Sequence, residues 1–167
     1  MALRIDDTTA AYGLFHVAYA ALDQVITNSL VSLRRSPDEQ VENRLAWVPL
    51  SKRLKLLEDV AKPLDQSCDY VQHFSEALAL AKEVQAWRNS CVHARVEFLD
   101  GIRPVLLNRE DGKPVQLDAA TCEEKIRQSI KAQVELDAYI GMIVARAEFL
   151  DEAQELGERI EAGSEHD

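Results

Sequence analysis

Residues 11–33 read AYGLFHVAYAALDQVITNSLVSL. The apolar side chains of this stretch recur at steps of three and four residues, the spacing of one face of an α-helix packed in a bundle. That face consists of Tyr12, Phe15, Tyr19, Leu22, Ile26, Leu30 and Leu33. Asp6 and Asp7 suit the positive end of a helix, and Pro37 ends the helical pattern. The sequence therefore predicts a long first helix.

Three further helices are predicted by the same periodicity. A short amphipathic helix spans about residues 50–61, and a third helix begins near Asp65 or Ser67 and runs past His93. Asp118 suits the N-cap of a long last helix. The apolar face of that last helix is Ile126, Ile130, Leu136, Ile140, Ile143, Ala147 and Leu150.

A β-hairpin is predicted between the third and last helices. The apolar runs 105–107 and 115–117 flank a turn that contains Asp111 and Gly112, so the hairpin covers about residues 102–118. The predicted fold class is all-α: a helical bundle of three long helices and one short one, with a small β-hairpin insertion before the last helix. Residues 1–154 are expected to form a single helical domain, and residues 155–167 an acidic tail that frays.

Composition narrows the function classes. The chain has 167 residues and a formal charge of −10, which argues against broad, non-specific nucleic-acid binding but allows a local basic cleft. No apolar run approaches the roughly 18 residues of a membrane span, and the N-terminus lacks an apolar signal core. We therefore expect a cytoplasmic protein with no membrane partner. The three cysteines form no CxxC pair and no metal-ligand spacing is present, so we expect neither a metal nor another cofactor.

One short segment suggests chemistry. The apolar face of the third helix places Arg88 where an apolar residue is expected, and such violations of patterning occur at functional sites. Asn89 and His93 are four residues apart and share a helix face. Arg88 lies about 140° around the helix from His93, at 3.6 residues per turn. A structural interpretation stays open, in which Arg88 pairs with a buried acid on a neighbouring helix and His93 is a hydrogen-bonded or surface histidine.

An arginine, an amide and a histidine suffice for metal-free cleavage of a phosphodiester. Imidazole titrates near neutral pH and can move a proton, whereas guanidinium stays charged and stabilises negative charge on phosphate oxygens. Residues 83–94, EVQAWRNSCVHA, also resemble the motif region of the HEPN superfamily. Its members carry an arginine followed by a polar residue, often Asn, and a histidine four to six positions on. In that family the motif lies near the end of a long helix in an all-helical bundle.

The resemblance covers the motif closely and the rest of the chain only by architecture. It implies that Arg88 and His93 are a catalytic pair accompanied by Asn89, in a metal-independent endoribonuclease that acts as a toxin or in defence. The 2′-hydroxyl of RNA would be the nucleophile and a cyclic phosphate the product. The family habit also implies a homodimer in which motifs of both copies line one cleft. A protein antitoxin or a nucleotidyltransferase is the further partner implied.

Two points remain open at this stage. Some members of the superfamily are not catalytic, so the alternative is a helical dimerisation, adaptor or antitoxin-like module of the same fold. Arg95, Lys52 and Arg53 are weaker candidates for contacts to RNA. The basic residues of the short helix fit a solvated helix face equally well.

Overall fold

Four helices and one two-stranded sheet make up the part of the chain that the structure, a computed structural model, describes: residues 7–33, 44–45, 47–61, 70–99 and 103–164. The elements are α1 (Asp7–Leu33), α2 (Leu50–Ala61), α3 (Tyr70–Val92), β1 (Arg95–Leu99), β2 (Arg103–Leu107) and α4 (Ala119–Ser164). The predicted all-α fold, with three long helices, one short helix and a hairpin before the last helix, is confirmed. None of the described helices is long and apolar enough to cross a membrane.

The core lies between the four helices, with Leu50, Leu54 and Leu57 contributed by α2, and α1 packs most extensively against α4. On α3 and α4, the Phe74 ring stacks on Tyr139 with centroids 4.4 Å apart, while Glu83 forms an ion pair with Lys125. These two contacts show that α3 and α4 run antiparallel. The predicted inner face of α1 is confirmed, with four of its seven residues fully buried: Phe15, Leu22, Ile26 and Leu30.

The last helix differs from prediction in two respects. Ile130 is 50% exposed, and Ser129 is buried in its place. The core accepts Ser129 because its hydroxyl donates a hydrogen bond of 2.7 Å to the Lys125 carbonyl within the helix. In addition, α4 continues to Ser164, through most of the segment that was expected to fray. Strong helix formers (Glu, Leu, Arg and Ala) dominate that segment, which explains its helical form.

The hairpin exists but begins earlier than predicted. β1 pairs antiparallel with β2, with Arg95 opposite Leu107. β1 therefore occupies residues predicted to continue the third helix, which ends at Val92 instead. Residues 115–117 form no strand, and Pro114 makes only an isolated bridge to Leu107. The bridge rests on two hydrogen bonds, from the Asn108 amide to the Lys113 carbonyl at 2.9 Å and from the Val115 amide to the Leu106 carbonyl at 2.8 Å.

Candidate functional site

The motif residues lie where α3 ends. The His93 amide donates the last helical hydrogen bond, 2.9 Å, to the Asn89 carbonyl, and the chain then turns into β1. Trp87 anchors this end of α3 on two sides. Its ring meets Phe15 edge-on at 4.7 Å, and its indole N–H donates to the Gln116 carbonyl at 3.3 Å. The end of α3 is thereby fixed against α1 and against the segment that follows the hairpin.

A pocket of about 550 Å³ separates the end of α3 from the turn that follows β2. On one side it is lined by Asn89, Ser90 and His93, and on the other by the turn residues 108–110. His93 is exposed in this pocket. Two of the three predicted catalytic residues, Asn89 and His93, are therefore brought together.

Arg88 does not line the pocket. It faces α1, where its guanidinium carbon lies 5.4 Å from the centre of the Tyr19 ring, and its Nη1 donates a 3.3 Å hydrogen bond to Asn89 Oδ1. Its Nε is buried without a hydrogen-bond partner. Among the described residues no carboxylate pairs with Arg88, so the ion pair required by the structural interpretation is not found there.

The charge of Arg88 affects the pKa of two tyrosine side chains of α1. Burial raises the pKa of Tyr19, and the Arg88 guanidinium opposes that rise. Burial likewise raises the pKa of Tyr12, with a smaller contribution from Cys91 and an opposing one from Arg88. Both phenols are therefore neutral near pH 7, and neither supplies Arg88 with a counter-charge.

Lys52 and Arg53 are neighbours in sequence but not in environment. Lys52 is exposed, whereas Arg53 is 4% exposed. The Arg53 guanidinium donates to the Val48 carbonyl at 2.9 Å, to Asp23 Oδ1 at 2.5 Å and to the Thr27 hydroxyl. Arg53 therefore fastens α2 to α1, which corrects its assignment as an RNA-contacting residue.

Arg95, the other weaker candidate, lies at the start of β1. Its side chain is exposed, and its Nη2 pairs with Glu97 Oε1 at 2.9 Å. Arg95 and Lys52 thus remain surface cations outside the pocket lining.

The turn residues on the far side of the pocket were not predicted from the sequence as part of a site. Asn108 Oδ1 accepts a 2.9 Å hydrogen bond from the Glu110 amide, and the Gly112 amide donates to the Asn108 carbonyl at 2.9 Å. Gly112 has φ +67°, the left-handed conformation that such a turn needs. These contacts hold Arg109 and Glu110 beside the pocket. The only signal in the sequence was a charged turn shortly after the motif.

No protein-family model matches the chain, and neither does any curated protein or solved structure. The resemblance to the HEPN superfamily therefore rests on the motif and on the helical architecture. Among the described residues, no group of three or more His, Cys, Asp or Glu side chains is placed to hold a metal ion.

Proposed function

We propose that this protein is a metal-independent endoribonuclease of the HEPN type that acts as a toxin or defence effector. The observation that carries the proposal is the position of Asn89. Its side chain accepts the hydrogen bond from Arg88 and also lines the pocket that contains His93. Asn89 thus connects the two functional groups of the motif, although they lie on different sides of α3. The pocket is open to solvent at His93, so an RNA strand can reach the imidazole.

The chemistry assigned to these residues is an in-line transfer at phosphorus. The 2′-oxygen bonds to the adjacent phosphorus while the bond from phosphorus to the 5′-oxygen breaks. His93 accepts the proton of the 2′-hydroxyl while water protonates the leaving 5′-oxygen, or His93 donates a proton to that oxygen while water takes the proton of the 2′-hydroxyl. Arg88 stabilises the charge that develops on the non-bridging oxygens. The products are a 2′,3′-cyclic phosphate and a 5′-hydroxyl.

A homodimer completes this proposal. Arg88 lies outside the pocket of its own chain and has no carboxylate partner among the described residues. A buried donor without a partner costs about 1–3 kcal/mol, a cost that folds accept mainly at functional sites. A composite site would combine Arg88 of one copy with His93 of another, so that one cleft contains both groups.

The first experiment measures cleavage of a mixed-sequence RNA in EDTA. Wild type is compared with Arg88→Ala, His93→Ala and the control His73→Ala, which changes an exposed histidine of α3 outside the pocket. We expect wild type and the control to cut, and the two motif variants to lose about 10²–10⁴-fold in rate. Circular dichroism checks that each variant is folded. A folded wild type that leaves the RNA intact contradicts the proposal.

Complementation tests the composite site. If each site takes its arginine and its histidine from different chains, a heterodimer of Arg88→Ala and His93→Ala contains one intact site. Refolding the two inactive variants together should then restore cleavage, whereas each refolded alone stays inactive. A monomer by light scattering at micromolar concentration, or no recovery in the mixture, counts against the composite site.

A non-catalytic dimerisation module is the second candidate, and the surface of α1 and α4 favours it. Leu14 and Val17 on α1 are 64% and 69% exposed, and Val134 on α4 is 64% exposed. The Gln133 side chain donates to the Ala18 carbonyl at 2.9 Å, so these residues flank the contact between the two helices. Exposed apolar clusters of this kind mark protein interfaces. A dimeric wild type that loses its partner on Val17→Glu and never cuts RNA would establish this function.

A further inference from the structure

Two side chains of opposite charge, Arg109 and Glu110, lie on the turn side of the pocket. Within the described residues, the side chains of Arg109 and Glu110 form neither an ion pair nor a hydrogen bond, and both are exposed. The adjacent Asp111 is different, because its carboxylate pairs with Lys113 at 3.0 Å and accepts from the Lys113 amide at 3.1 Å. Arg109 and Glu110 are therefore held in place by the turn backbone with their charged groups available to a ligand.

The remaining polar side chains of the pocket include two asparagines and a serine. Asn89 Oδ1 and Asn108 Oδ1 each already accept a hydrogen bond, from Arg88 and from the Glu110 amide, so each side chain offers its NH₂ group. Ser90 donates its hydroxyl to the Ala86 carbonyl at 3.0 Å. Around His93 the pocket thus presents one guanidinium, one carboxylate, two amide donors and the Ser90 hydroxyl oxygen. A matching ligand carries an anion for the guanidinium and adjacent N–H donors for the carboxylate.

We propose that this pocket binds one guanine nucleotide of single-stranded RNA, with Arg109 on a phosphate and Glu110 on the base. Of the four RNA bases, guanine alone presents two adjacent N–H donors on its Watson–Crick edge, which a carboxylate can accept together. A guanidinium group binds phosphate oxygens through two parallel hydrogen bonds. The pocket volume of about 550 Å³ lies within the range of small-molecule sites. The choice of RNA as ligand rests on the proposed function, whereas the base and the residues that select it come from the pocket.

The test measures binding of labelled heptamers of uridine with a central G, A, C or U. The protein is the full chain with His93→Ala, which prevents cleavage during the titration, and fluorescence anisotropy is read at several salt concentrations. Adding Arg109→Gln should weaken binding of all four heptamers about tenfold. It should also lower the slope of log K against log salt by about 0.7, the value for one phosphate contact on a single strand.

Glu110→Gln should act only on the base. It should abolish the preference for the central G and leave the other three heptamers unchanged. Arg127→Gln and Glu123→Gln are the matched controls, because both residues are exposed on α4 outside the pocket. The proposal is overturned by equal binding of the four heptamers, by no binding of any, or by an Arg109→Gln variant that binds like its parent.

These results separate the pocket from the catalytic proposal. Guanine-selective binding that depends on Arg109, in a wild type that cuts no RNA, would support the pocket and overturn the ribonuclease. Cleavage that is unaffected by Arg109→Gln and Glu110→Gln would support the ribonuclease and overturn the pocket.

Discussion

Replacing Arg53 by methionine is the sharpest test of the packing between α1 and α2. Methionine keeps an unbranched apolar stem but removes the guanidinium, which bonds the Val48 carbonyl, Asp23 and Thr27. A hydrogen bond to a charged group contributes about 1.5–3 kcal/mol, and an unpaired buried carbonyl costs about 1–3 kcal/mol. The Asp23 side chain is 35% exposed and can regain water, so the low end of both ranges applies. We expect a loss of about 3 kcal/mol in the free energy of unfolding, as for other broken buried ion pairs.

The assay is urea unfolding followed by circular dichroism at 222 nm, with a parallel thermal scan. A loss of about 3 kcal/mol corresponds to a fall in Tm of roughly 6–12 °C for a chain of this size. Lys52→Met is the matched control, because Lys52 is the exposed neighbour on the same helix and should change stability by less than about 0.5 kcal/mol. Equal losses for the two variants, or a loss below about 1 kcal/mol for Arg53→Met, would refute the reasoning.

Two further predictions concern Cys91 and the turn after β2. Burial raises the pKa of the Cys91 thiol from 9.0 to about 11. The folded protein therefore favours the neutral thiol, and the stability gained in this way is complete below pH 9 and is lost as the pH rises towards 11. Between pH 8 and 10.5, wild type should lose about 2 kcal/mol more than Cys91→Ala in urea unfolding, and parallel losses would contradict this. Gly112→Ala should lower the free energy of unfolding by about 1 kcal/mol because φ at this position is +67°. Gly141→Ala in α4 should instead raise it, because alanine favours a helix and the added Cβ meets no atom within 4 Å. Thermal scans of both variants check the sign, and a neutral Gly112→Ala would exclude backbone strain.

Local periodicity was sufficient to predict the helices but not the environment of each polar side chain. The α1 face could be read correctly because burial follows a helical repeat over many residues. The burial of Arg53 could not be predicted, since its neighbours Lys52 and Lys55 are typical of a solvated helix surface. The partner that buries it, Asp23, lies on a different helix. The length of α3 was also misjudged, although residues 95–98 alternate charged and apolar side chains, the repeat of a strand.

The same logic applies to the candidate site. The spacing of Asn89 and His93 was enough to predict that they share a helix face, and both do line one pocket. The direction of Arg88 towards Tyr19 depends on how α1 crosses α3, which no local pattern contains. Arg109 is brought next to the motif by the pairing of β1 with β2, in which Arg95 lies opposite Leu107. The predicted hairpin began too late in the chain to indicate this proximity.

The early end of α3 gives the pocket two walls from different parts of the fold, and we expect the two walls to have different roles. Because the helix stops at Val92, the chain enters β1 two residues after His93, and β2 then returns the turn of residues 108–110 to the same place. One wall of the pocket is therefore the motif helix, and the other is a hairpin that the helical bundle does not need for its core. Substitutions on the helix wall should change the rate at which bound RNA is cleaved. On the hairpin wall, substitutions at Arg109 should change how tightly RNA is bound, and substitutions at Glu110 should change which base is preferred. A change at Arg109 that lowered the cleavage rate at saturating RNA would show that the two walls do not act separately.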